Sequence, residues 1–163
     1  VIKLTQDAGF SKPLVVLGSF QEEIRLKSTM LDSCKVVINK RWKEGQAGSL
    51  KTAITAFDPD ITGAMFLLGD QPYISPSLIK GMCQTFNSIQ PHILYPVYHS
   101  IRGNPVIISK SIFPRLMENS GDHGARFLFS DSSLHAHPYK TSDSGCLIDI
   151  DSLEDYYRLV QNP

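Results

Sequence analysis

The run AMFLLGD, residues 64–70, is apolar for five residues and then stops at Gly69-Asp70. An unbroken apolar strand of this length implies burial on both faces, the situation of a strand in a parallel sheet covered by helices on either side. The same character recurs upstream in LVVLGS (14–19) and CKVVIN (34–39). Helix-length stretches lie between them. FQEEIRLK (20–27) carries its acidic residues in the first turn, where they suit the positive end of the helix dipole. SLKTAITAF (49–57) follows a glycine-rich loop, with Ser49 as its expected N-cap. SLIKGMCQTF (77–86) has Pro76 in its first turn and Ser75 as a cap.

Downstream, ILYPVY, PVIIS and HAHPY read as strands, and SIFPRLM and GARFLF as short helices. CLIDID (146–151) reads as a last strand and SLEDYYRLV as a last helix, capped by Asp151 or Ser152. Repeated β–α alternation without a shift in composition implies one three-layer αβα domain over residues 1–163, with an open and mostly parallel sheet.

Composition agrees. The chain has 163 residues, 42% hydrophobic and 20% charged, enough to bury a real core and unlike a disordered or fibrous sequence. Sixteen basic side chains balance sixteen acidic ones, which argues against a nucleic-acid binder with a strongly basic face. No run approaches the ~18 apolar residues of a membrane span. Cys34, Cys83 and Cys146 are odd in number and lack a CxxC pairing, so they read as free thiols of a cytoplasmic protein. The sequence starts at Val1 in mid-pattern, with no signal-peptide pattern, and the expectation is of a missing upstream segment.

In open α/β sheets ligands bind beyond the carboxyl ends of strands, and four loops there carry chemistry. Asp70, at the end of the first-quoted strand, could hold Mg²⁺ together with phosphate oxygens, or simply occupy a proline-containing turn. Strand periodicity puts Asp149 and Asp151 on one face, where two carboxylates repel and a nearby cation relieves them; the bland alternative has Asp151 capping a helix and Asp149 solvated. The third loop, residues 39–50, offers Asn39, Gly45, Gly48 and Ser49 near a helix start, where backbone N–H groups can meet a phosphate or base. It is not a Walker A loop. The fourth pairs Gly103-Asn104-Pro105 with residues 121–126, where Asp122 sits among glycines and Arg126 could clamp an anion or serve an ordinary ion pair.

Rival chemistries lack support. GxSxG, GxGxxG, HExxH and EF-hand patterns are absent. His135 and His137 would share a strand face but lack a third ligand.

The order of these stretches, LVVLGSFQEEI, NKRWKEGQAGSL, FLLGDQP, GNPVIIS, GDHGARFLF and LIDIDSLEDYYRL, resembles the MobA-like nucleotidyltransferases, and among them most closely the MocA-type molybdenum cofactor cytidylyltransferases. The resemblance implies a Rossmann-like nucleotidyltransferase fold of the GT-A-like kind and a Mg²⁺-bound nucleoside triphosphate. Asp70 matches the family's metal-binding Asp, and Asp149 or Asp151 its second metal-proximal position. Residues 45–49 match the nucleotide-side loop. Gly103, Asn104, Pro105, Asp122 and Arg126 match the acceptor side. CTP is the implied donor, molybdopterin the implied acceptor and a molybdenum hydroxylase the implied downstream partner.

Ser152-Leu153 replaces the family's usual Thr-Pro, and the family's opening strand, Gly-rich loop and most of a helix have no counterpart before Val1. That loop reads the base, so GTP or a sugar-phosphate acceptor stays open. So does an inactive accessory module for molybdoenzyme maturation.

Overall fold

The computed structural model describes residues 1–119 and 124–161. In chain order these form α1 (Ile2–Asp7), β1 (Leu14–Leu17), α2 (Gln21–Lys27), β2 (Lys35–Ile38), α3 (Gln46–Ala56), β3 (Gly63–Phe66) and α4 (Pro76–Ile89). There follow β4 (Ile93–Tyr98), β5 (Ile101–Arg102), β6 (Val106–Ser109), α5 (Phe113–Glu118), β7 (Ala136–Lys140) and α6 (Leu153–Gln161).

β1 and β2 pair in parallel, Leu14 beside Lys35 through Leu17 beside Ile38. The other strands form a second sheet in which β6 lies between β3 and β4, and β7 pairs with β4 in parallel. β3, β4 and β7 therefore run one way, as a mostly parallel sheet should. The exception is the return stretch β5–β6, antiparallel to β4 and, through β6, to β3. Its cause is a tight hairpin after β4, in which His99 (φ 46°) and Ser100 (φ 69°) are both left-handed. A two-residue turn with both positions at positive φ joins antiparallel strands, whereas a parallel partner needs a crossover of a dozen residues or more.

The period-2 alternation of β4 and β6 divides the core between two faces. Leu94 and Ile107 pack with Ile74, Leu78, Ile79, Met82 and Phe86 on the α4 side, where Leu4 and Ala8 of the α1 segment join them. Ile93 and Ile108 pack on the opposite face with Phe113 and Leu116 of α5, and Leu50 and Ile54 of α3 lie against that cluster. Phe57 links the α3 side to the sheet and to α5, with ring centroids 6.2 Å from Phe66 and 5.7 Å from Phe113. Each fully buried side chain of this kind contributes about 1.5–3 kcal/mol. Helices on both faces of the sheet make the three-layer αβα arrangement. β3 packs on both faces too, through Met65 on one and Ala64 and Phe66 on the other. Its residues are nevertheless only half-buried, because its one strand neighbour among the described residues is β6.

Three local expectations change. Residues 146–151 are not a strand: a 3₁₀ turn covers Ser144–Leu147 and an irregular extended stretch follows. The apolar run is real, but no neighbouring strand offers it a ladder; Ile150 N–H donates instead to the Asp70 carbonyl at 2.9 Å. Residues 126–130 form a 3₁₀ helix and no α-helix. Finally, α3 starts at Gln46 with Gly45 (φ 93°) in the capping position, so Ser49 lies inside the helix and does not cap it.

Other ends are as anticipated. Ser75 Oγ accepts from Leu78 N–H at 3.1 Å. Ser152, not Asp151, caps α6: its Oγ accepts from Asp155 N–H at 3.1 Å and the Asp155 carboxylate accepts in return. No described helix is long and apolar enough to cross a membrane.

Candidate active site

Because β6 runs against its neighbours, its first residue lies beside the last residue of β3: Val106 is opposite Phe66. Gly103-Asn104-Pro105 is thereby delivered to the same edge as Asp70. The segment after the Ser144–Leu147 turn closes that edge. Asn104 N–H donates to the Cys146 carbonyl at 2.9 Å, Gly103 N–H to the Pro96 carbonyl at 3.0 Å, and Ile150 N–H to Asp70. Gly103 is required by this approach, since a Cβ there would sit 2.4 Å from the Cys146 carbonyl oxygen. Pro105 is fully buried.

The junction concentrates negative charge. Asp70 is exposed as a residue, yet partial loss of water around its carboxyl pushes its pKa above the ordinary value. A backbone hydrogen bond opposes the shift, and the fields of Asp149 and Asp151 add to it. Asp70 therefore sits in the field of two further carboxylates, the condition under which a cation is stabilising. With Ser152 doing the capping, Asp151 has no structural duty at α6. Asp149 does have a partner: Gln71, 1% exposed, donates its Nε2 hydrogen to Asp149 Oδ1. Among the described residues Gln71 Oε1 has no hydrogen-bond partner. Sequence reasoning missed Gln71, for nothing in a Gln beside an Asp signals a bond to a residue 78 positions away.

The third loop behaves differently. Asn39 is 3% exposed; its Oδ1 accepts from Arg41 N–H at 2.9 Å and its Nδ2 donates to Ser49 Oγ at 3.1 Å. Gly48 fits tightly under this pair, 3.2 Å from Asn39 Nδ2 to a Cβ position. Asn39 and Ser49 thus brace the loop, and a hollow of about 370 Å³ beside them is lined by Arg41, Lys51 and Thr52 among others. Trp42 lies across Gly18 at the end of β1.

Of the fourth loop, Asp122 lies outside the described residues. Gly124 (φ 53°) has Gln46 of α3 pressed against it and its carbonyl accepts from Asn119 Nδ2 at 2.7 Å. Arg126 is exposed at the start of its 3₁₀ helix. The site residues thus fall into two groups, Asp70 with 103–105 and 149–151, and 39–49 with 124–126; among the described residues no hydrogen bond links them. The His92 ring is tied into the fold, its Nδ1 accepting from the His135 backbone N–H at 2.9 Å. Among the described residues no three His, Cys, Asp or Glu side chains form a ready-made metal cage. Mg²⁺ does not require one, because it takes one or two carboxylates plus phosphate oxygens and water.

The sheet and its flanking helices define a Rossmann-like nucleotidyltransferase fold. The 4-diphosphocytidyl-2C-methyl-D-erythritol synthase of Anaerococcus prevotii superposes with a TM-score of 0.75 at 12% identity, over 99% of this chain and 84% of that one. The model of the MobA-like NTP transferase domain matches residues 1–137, and the chain belongs to that family. The Rv0371c protein of Mycobacterium tuberculosis H37Rv, solved as a manganese complex, is similar at 25% identity with a TM-score of 0.86, covering 99% of this chain and 84% of that one. Nicotine blue oxidoreductase of Paenarthrobacter nicotinovorans is 25% identical over 160 residues, which is 93% of this chain and 76% of that protein. Its name is that of an oxidoreductase, so the reaction must be argued from the site and not from kinship.

Proposed function

We propose that this single domain, residues 1–163, is a metal-dependent nucleotidyltransferase that transfers CMP from CTP to a phosphate of a molybdopterin-type acceptor, releasing pyrophosphate. The observation that carries the reading is Asp70 beyond the end of β3 within the fields of Asp149 and Asp151, its pKa raised first by loss of water and then by those two carboxylates. That donor set, hard oxygens without histidine or thiolate, fits Mg²⁺ or Mn²⁺. A bound ion there would neutralise charge on phosphate oxygens. Asp70 and Asp149 would hold the ion, with Asp151 as the further carboxylate whose field reaches Asp70.

The acceptor's phosphate oxygen attacks the α-phosphorus in line, a reaction that needs positioning more than a covalent nucleophile. Gly103, Asn104 and Pro105, beside Asp70, form the acceptor side, whereas Arg126 falls with the loop at 39–49 and not with them. Gly45 and Gly48 shape the nucleotide-side loop, their N–H groups donating to the Trp42 and Gly45 carbonyls, while Asn39 and Ser49 brace it. Three thiols without a disulfide support a cytoplasmic location, and a molybdenum hydroxylase is the proposed recipient of the product.

Pyrophosphate release from CTP, Mg²⁺ and molybdopterin is the test, with GTP and a sugar phosphate as parallel arms. Turnover with CTP and molybdopterin, lost in Asp70→Asn, is expected. Turnover with GTP alone would move the donor assignment, and no pyrophosphate in any arm would overturn the reading.

A further inference from the structure

Gln71 is almost completely buried, yet one of its two polar atoms is unpaired. The orientation of its amide follows from chemistry: Nε2 must face Asp149 Oδ1, because a carbonyl oxygen turned there would meet a carboxylate oxygen with no proton between them. Oε1 is left inside without a donor. A buried carbonyl in that state weakens the fold, and such atoms call for a reason when a chain keeps them. A methionine or leucine would fill the position without an orphan.

What Gln71 gains is control over Asp149. That residue sits in an irregular stretch with no strand ladder to hold it, and it is exposed. The amide of a side chain locked in the core fixes one carboxylate oxygen of a residue whose field reaches Asp70. We propose that Gln71 is a positioning residue, holding the Asp149 carboxylate in the orientation from which it shares a divalent cation with Asp70. The proposal rests on the metal reading above, and the experiment separates the two. Partners of this kind, one bond behind a metal-binding carboxylate, typically change metal affinity about 10–100-fold when removed.

Mn²⁺ affinity, read from the electron paramagnetic resonance of the free ion at neutral pH, is compared in wild type, Gln71→Met, Gln71→Leu, Asp149→Ala and Asp70→Asn. Urea unfolding in chelator is measured beside it. Gln71→Met and Gln71→Leu are expected to weaken Mn²⁺ binding about 10–100-fold while the metal-free unfolding midpoint stays level or rises. A purely structural tie would do the reverse, lowering the midpoint and sparing affinity. If Asp70→Asn abolishes binding but both Gln71 variants bind like wild type, the positioning role fails alone. If wild type shows no binding sensitive to Asp70→Asn, the metal reading fails and takes this proposal with it. If neither Gln71 variant folds, the residue is structural and the proposal is overturned.

Discussion

The carboxylate junction and the loop between β2 and α3 both lie where strands end, and they use their polar groups in opposite ways. In the loop, Asn39, Ser49 and the Arg41 amide satisfy one another. At the junction Asp70 lies in the fields of Asp149 and Asp151, and Gln71 keeps an oxygen with no partner among the described residues. A polar group spent on its own scaffold is a brace; polar groups held in mutual conflict mark a place prepared for something else. Both regions contain residues that a motif reading groups as binding residues, and the difference in satisfaction sorts them.

The sharpest break of this contrast is Asp70→Asn. Transfer should fall about 10²–10³-fold, the scale for losing one electrostatic contact to a transition state, while the fold becomes more stable. The sign follows from the raised pKa: the native state holds the Asp70 proton more firmly than the unfolded chain does. Stability from this group is therefore present below the ordinary Asp value and is lost as pH rises through the elevated native one. The stabilising effect of Asp70→Asn should be visible in urea melts at neutral pH and absent near about pH 3. A variant less stable than wild type at neutral pH would remove the conflict on which the contrast stands.

Gly103→Ala comes next. Its new Cβ meets backbone and not a yielding side-chain tip, and overpacking of that kind costs about 3 kcal/mol at the upper end of the usual range. Transfer activity, measured on the folded fraction, should fall as well, because the displaced strand of chain carries Asp149. Asn39→Ala should cost about 2 kcal/mol by leaving buried partners unpaired. Its kcat should survive at low temperature, where the protein remains folded; a large loss of kcat there would promote Asn39 from brace to binding group. Ser152→Ala is the smallest, about 1 kcal/mol for a lost helix cap. It should leave Mn²⁺ affinity unchanged if Asp151 is as independent of α6 as the capping geometry makes it.

Much of this was legible before any coordinates. The apolar runs at 14–19, 34–39 and 64–70 all contain strands, and Asp70 follows the third as expected. The antiparallel return was legible too, though only by counting: seven residues separate Tyr98 from Val106, too few for a helical crossover. His99-Ser100 hid the hairpin, because its turn type usually advertises itself with Asn-Gly. CLIDID misled because alternation reports a face without reporting a neighbour, and no strand stands beside it. Ser49 misled because Gly45, three residues inside a glycine loop, could adopt the left-handed geometry that starts the helix earlier. Gln71 was beyond reach in principle, since its meaning lies in a partner far along the chain.

That distance has a temporal side. The bonds from Asp70 to Ile150 and from Gln71 to Asp149 close loops of nearly half the chain. Contacts so far apart in sequence form late, after the entropy of closing the intervening loop has been met. A ribosome that has made residue 140 has already supplied all of β3, β4 and β7, but the emerging protein is still without its acidic junction. On the metal reading proposed above, an ion would have no assembled seat until residues 149–151 had followed, so the growing chain would be spared ion binding at a half-made site.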